Sequence, residues 1–339
     1  MTPMTKYEDL CNEIHMEIYE FLDFYSVFKS FWNINERFNQ ILTDKRLRLT
    51  QTTKYIPAQF FHSYFEQNLS IIGNHLVSLK FQSDENQQNI KLLLLLSICN
   101  FSQFHRLESL IIIGGIYSIE NLTRLILELK NVSKLTTLYI NQIRLVGIYH
   151  DNIIKMILFE NYLPQLRKFM FLNAFVPSYD SSSQSCHNIE NLTISCSKDV
   201  LSWLFIHSPK LIYLNLRLYP PFEVHHLSSV EALSLPMVLL LKHLKICIFE
   251  VLCCDISIVL KSMPNLKILE INGDASHLAL LDGRMIMSLV PTLLKYTIEL
   301  EMPSPVINVS IDWILETYNW HNVQCSICGC SILLSAKKK

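Results

Sequence analysis

Glycine is scarce in this chain, with seven in 339 residues. Loops that cradle phosphate need glycine so that backbone N–H groups can close on the anion. Neither G-x-x-x-x-G-K-S/T nor G-x-G-x-x-G occurs. The G-x-S-x-G setting of a nucleophilic serine is missing too. Charge is sparse and balanced: charged residues make up 17% of the chain and the net charge is -1. A dedicated nucleic-acid binder needs a basic face, so no nucleic-acid partner is expected. Long apolar runs are missing as well. The longest, "LLLLLSIC" from Leu92 to Cys99, falls far short of a membrane span of about 20 residues. The stretch from Val238 to Cys254 is broken by Lys242, His243, Lys245 and Glu250, which are costly in lipid, and no membrane partner is expected. The first ten residues hold Lys6, Glu8 and Asp9 and do not read as a secretory signal. The expected residence is cytoplasmic or nuclear, with the ten cysteines reduced and packed as small apolar groups.

What is present is apolar periodicity. Half the residues are apolar, enough to bury a large core. In "LCNEIHMEIYEFLDFYSVFKSFWNINERFNQIL", Leu10 to Leu42, residues Leu10, Ile14, Ile18, Phe21 and Leu22 recur at steps of three and four. That spacing predicts one face of a helix. Asp23 is placed to begin a second helix with Val27, Phe28, Phe31 and Trp32. The polar "NINE", Asn33 to Glu36, reads as a turn and cap before a third with Ile34, Phe38, Ile41 and Leu42. Three helices this short cannot hide all these side chains among themselves. Either they pack on the rest of the chain or they leave a partner surface bare.

This segment resembles an F-box. That motif opens with Leu-Pro-x-Glu, continues with aliphatics at helical spacing, and closes with a hydrophobic, a basic or polar residue and a large aromatic. The matching residues are Leu10, Glu13, Ile14, Ile18 and Leu22, then Val27, then Ile34, Arg37 and Phe38. Cys11 stands where the motif has proline. The stretch from Val27 to Phe38 is one residue longer than the common spacing, and its final aromatic is phenylalanine rather than tryptophan. The resemblance implies docking on a Skp-type adaptor, and through it on a cullin. Leu10, Glu13, Ile14, Ile18, Leu22, Val27, Ile34 and Phe38 would form or support the adaptor-facing surface. Such a chain holds an unidentified protein substrate for ubiquitin transfer and does no chemistry itself.

The rest of the chain repeats. The template L-x-x-L-x-L recurs as "LVSLKF" at Leu76, "LESLII" at Leu107, "LTTLYI" at Leu135, "LRKFMF" at Leu166 and "IENLTI" at Ile189. It continues as "LIYLNL" at Leu211, "LKHLKI" at Leu241, "LKILEI" at Leu266 and, more weakly, "LLKYTI" at Leu293. The mean spacing of about 27 residues falls in the leucine-rich-repeat range of roughly 20–29. Helical patterns lie between, clearest in "SIENLTRLILELK" with Leu122, Leu125, Ile126 and Leu129. The asparagine often found after the last template leucine is mostly missing. Asn141, Asn173 and Asn272 lie near such a position, and Cys196 is a candidate.

The expected fold class is therefore α/β. An N-terminal three-helix F-box spans 5–48, and a linker with a packing helix, "PAQFFHSYFEQ", spans 49–74. An irregular leucine-rich-repeat-like solenoid spans 75–334, with parallel strands on its concave face and helices on its convex face. An ordinary α/β fold is the competing architecture. The expected function is the substrate-recognition subunit of a Skp-cullin-F-box ubiquitin ligase, and the alternative is a stand-alone repeat scaffold. No enzyme activity, cofactor or metal is expected. His321, Cys325, Cys328 and Cys330 in "WHNVQCSICGC" lack the second half of a zinc site, and "VQCSICGCSILL" reads as a terminal capping strand. Glu223, His225 and His226 read as a loop, Glu299 and Glu301 as a solvent-facing pair, and the serine-rich Pro177 to Asn188 as a solvated loop.

Overall fold

A computed structural model describes residues 6–82, 94–97, 100–114, 119–141, 151–176, 188–219, 235–248, 253–274, 282–301, 322–328 and 331–337. The chain divides into two compact units, Met1–Ile153 and Ile154–Lys339.

The first unit opens with three short helices, α1 (Asn12–Glu20), α2 (Phe24–Phe31) and α3 (Glu36–Leu42). Strand β1 (Leu49–Thr52) and helix α4 (Ala58–His75) follow. Then come β2 (Leu76–Gln82), β3 (Ser109–Ile113), α5 (Ile119–Leu129) and β4 (Thr137–Asn141). Strands β1 to β4 pair in parallel, each with the next in the chain. The helix expected between residues 49 and 74 is α4. Strand β1, in the same stretch, was not expected. Its inward positions explain why: Gln51 stands opposite Leu79, and Gln51 and Thr53 are both buried. Polar residues occupy the places where the template has leucine. They are stabilised there by hydrogen bonds, as buried polar groups must be. Gln51 Oε1 accepts from the Tyr25 N–H at 2.9 Å, Gln51 Nε2 donates to the Thr52 carbonyl, and Thr53 Oγ1 donates to the Gln82 carbonyl.

The second unit contains β5 (Lys168–Val176), β6 (Asn191–Ser197), α6 (Lys198–His207), β7 (Tyr213–Tyr219), β8 (His243–Ile248) and α7 (Cys253–Lys261). It continues with β9 (Ile268–Asp274), α8 (Gly283–Leu289), β10 (Lys295–Glu301), β11 (Asn322–Cys328) and β12 (Ser331–Lys337). Strands β5 to β10 pair in parallel in chain order. The end of the chain departs from the single capping strand expected there. It forms two antiparallel strands, with β12 against β10 and β11 on the outside. The protein is thus α/β, with mostly parallel strands and helices between them.

All nine template segments behave alike. Their first, fourth and sixth residues are at most 2% exposed. The fourth positions line up across strands, with Leu192 opposite Leu214, Leu214 opposite Leu244, and Leu244 opposite Leu269. A turn brings the first residue in: the N–H groups of Leu107, Leu135, Leu211, Leu266 and Leu293 each donate to the carbonyl three residues back. A shared backbone contact then locks the register. The Ile212 carbonyl accepts from the N–H groups of Lys242 and His243, and the Lys242 carbonyl from those of Lys267 and Ile268. Leu122, Leu125, Ile126 and Leu129 of α5 are buried, as their spacing predicts. Cys196 points inward, whereas Asn141 and Asn272 lie half-exposed on the other strand face, so no inward asparagine row forms at these positions.

Candidate functional site

The three N-terminal helices are held together by aromatic rings. Helix α1 buries His15, Met16 and Tyr19. The His15 ring meets Tyr7 edge-on at 4.6 Å and Phe38 at 5.2 Å, and Tyr19 meets Phe31 at 4.8 Å. Caps set the helix starts. Asp23 accepts from the Ser26 N–H to begin α2, and Asn35 accepts from the Phe38 N–H to begin α3. Arg37 of α3 reaches back to α1: its guanidinium donates to the Glu8 and Leu10 carbonyls and, at 3.0 Å, to Asn12 Oδ1. The motif's basic position therefore fixes the chain where it enters α1.

The consequence is that α1 turns its aliphatic face outward. Ile14 is 42% exposed, Leu22 37% and Phe21 91%. Leu10 and Ile18 are half-exposed, and Ile34, in the turn before α3, is exposed. Of the eight residues expected at the adaptor surface, six thus reach solvent at least in part: Leu10, Glu13, Ile14, Ile18, Leu22 and Ile34. Val27 and Phe38 are buried. Phe21 belongs with the exposed set. The motif does not include it, but its helical spacing already placed it on the stripe. Glu13 is fully exposed, 3.7 Å from Arg46, and hydrogen bonding to its own backbone N–H holds its carboxyl below the usual range.

The two departures from the motif have local solutions. Cys11 takes φ -68° and ψ 160°, and Leu10 is extended with ψ 147°, which is the backbone that a proline at position 11 requires. In the longer stretch before Phe38, Asn33 adopts φ 63°. Asparagine tolerates this left-handed conformation better than most residues. The Asn33 N–H donates to Asn39 Oδ1 at 2.9 Å, which pins the turn to α3.

No family model and no curated protein matches the chain. The geometry of α1 to α3 therefore stands on its own.

Other candidates carry less. Among the described residues, no three His, Cys, Asp or Glu side chains gather as metal ligands. Cys325 sits half-buried on β11, where burial pushes its thiol pKa up. His321, Cys330, the Glu223–His226 cluster and most of the serine-rich loop lie outside the described residues. Glu299 and Glu301 are exposed on β10, as a solvent-facing pair should be. Among the described residues, no helix is long and apolar enough to cross a membrane.

Proposed function

We propose that this chain is an F-box protein with an irregular leucine-rich-repeat solenoid, serving as the substrate-recognition subunit of a Skp-cullin-F-box ubiquitin ligase. One observation carries the reading. Helix α1 is apolar on two sides: it spends its ring-bearing side on its own core and leaves Ile14, with Phe21 and Leu22 just past its end, exposed. A segment that served only to cap the repeats would turn those side chains inward, because fully burying an exposed one is favourable by up to roughly 1.5–3 kcal/mol. The exposed row is what an apolar partner groove reads on a helix. The repeats would present the substrate, and the chain would need no cofactor.

The stand-alone scaffold is the second reading, and it has its own support. The helical unit also closes off β1, through the bridge between Asp23 and Thr50 and the Gln51 contact to Tyr25. A pull-down with a purified Skp-type adaptor separates the two. The intact chain should bind, and a folded Ile14→Asp/Leu22→Asp variant should not. Circular dichroism confirms that both proteins are folded. Absence of binding by the intact chain leaves the scaffold.

A further inference from the structure

In the second unit, the strand face opposite the buried template residues is polarised in charge. Strands β5 to β8 contain no aspartate or glutamate, yet they carry Lys168, Arg217 and Lys245. All three lie at positions that alternate with buried residues, so they share the open face. Strands β9 and β10 reverse the sign, with Glu270, Glu299 and Glu301 against Lys295. The centre of this face is ordered by register. Tyr213 stands opposite His243, and their rings meet edge-on at 4.7 Å. His243 Nε2 lies 3.2 Å from Glu270 Oε1, and Lys245 Nζ lies 4.0 Å from Glu270 Oε2. Arg217 stands opposite Cys247 and hydrogen-bonds its side chain. Arg217 and Lys245 are thus diagonal neighbours on adjacent strands, both half-exposed.

On β6 the same side is closed, since Thr193 and Ser195 are buried. We propose that the open face of β7 and β8 binds an acidic segment of a partner protein, with Arg217 and Lys245 as its charge contacts. Amide and hydroxyl groups surround the two cations: Asn191, Asn215 and Tyr213 are half-exposed on the same face. Such groups can donate to carboxylates. Glu270 is engaged by His243 and Lys245 and marks the boundary beyond which an acidic segment meets repulsion. Complementary charge sets partner choice by penalising the wrong sign as well as by attracting the right one. The proposal rests on reading the repeats as the substrate surface.

The test is fluorescence anisotropy on the full chain with a labelled glutamate-rich decamer. A lysine-rich decamer and a phosphoserine decamer are the comparisons. The glutamate peptide should bind and the lysine peptide should not, with binding weakening as salt rises. Arg217→Glu/Lys245→Glu should lower affinity about tenfold or more, and the milder Arg217→Gln/Lys245→Gln should lower it less. Circular dichroism checks the fold of each. Equal binding of both charge types, unchanged binding by a folded variant, or no binding of the glutamate peptide overturns the proposal. Binding of the phosphoserine peptide alone overturns it in favour of a phosphate-specific face. The adaptor pull-down on the same preparation reads the other surface. Adaptor binding with a silent glutamate peptide defeats only this inference, and the reverse defeats only the ligase reading.

Discussion

Along β7, Leu214 and Leu216 are sealed from solvent; along α1 and just past its end, Ile14 and Leu22 are not. Both pairs sit on regular apolar stripes. The strand residues lie between neighbouring strands on both sides, and the next repeat continues the same row in register, so their inward direction is forced by the array. Helix α1 has no such array. Its inward side is decided by which of two apolar faces packs better, and the rings of His15 and Tyr19 win against Phe31 and Phe38. The comparison teaches that periodicity tells which residues share a face. It does not tell whether that face meets the same chain or another one.

The largest test of this contrast pairs two truncations. Leu244→Ala should cost about 2–5 kcal/mol in urea denaturation, since it leaves a cavity in a close-packed row. Ile14→Ala should stay within roughly 0.5 kcal/mol of the parent, as an exposed site. Equal losses would mean that α1 is packed like the strands. The contrast sharpens at β1, where polar residues fill inward positions. Gln51→Leu restores the template's apolar character but leaves the Tyr25 N–H without its acceptor. A loss of about 1–3 kcal/mol is expected in a thermal melt, whereas a gain would show that β1 is an ordinary repeat strand.

Acid should loosen the first unit. Neither ring nitrogen of His15 has a hydrogen-bond partner, and burial followed by the nearby Arg37 charge lowers its pKa below 6.5. The groups facing it are the rings of Tyr7, Tyr19 and Phe38. His75 is lowered too, chiefly by burial, with Arg106 adding to the effect and the Leu47 backbone and Asp44 opposing it. With the folded pKa below the unfolded one, the unfolded chain binds more protons in this range. Stability is therefore complete above about pH 6.5 and falls as the pH drops below it. Melts across that window should show the loss, and His15→Phe should flatten the profile. The smallest effect is a gain. Cys11→Pro suits the backbone already present and should stabilise by about 0.4–1 kcal/mol in urea denaturation, through the unfolded chain.

Much of this architecture was legible beforehand. The nine strand templates, the α5 stripe, the Asp23 cap, a cap within Asn33 to Glu36 and the α4 helix follow from spacing and residue type, whereas Ile34 lies in the turn before α3 and not in the helix. Strand β1 was hidden because Gln51 and Thr53 carry no apolar signal, and only their distant partners Tyr25 and Gln82 make burial possible. The terminal hairpin was hidden because antiparallel pairing of β12 with β10 is a long-range choice. At the candidate site, the stripe from Leu10 to Leu22 was visible, but the burial of Val27 and Phe38 was not.

The sequence by itself determined the strand rows of the repeats, because a period of two with an apolar first residue has one stable inward face. It also determined three short helices at the N-terminus, two of them capped by a side chain. Only the tertiary structure decided which side of α1 faces water, because that choice depends on how the rings of three separate helices pack together. It likewise decided that Arg217, Lys245, His243 and Glu270 meet on one surface, because strand register, and not distance along the chain, brings them together.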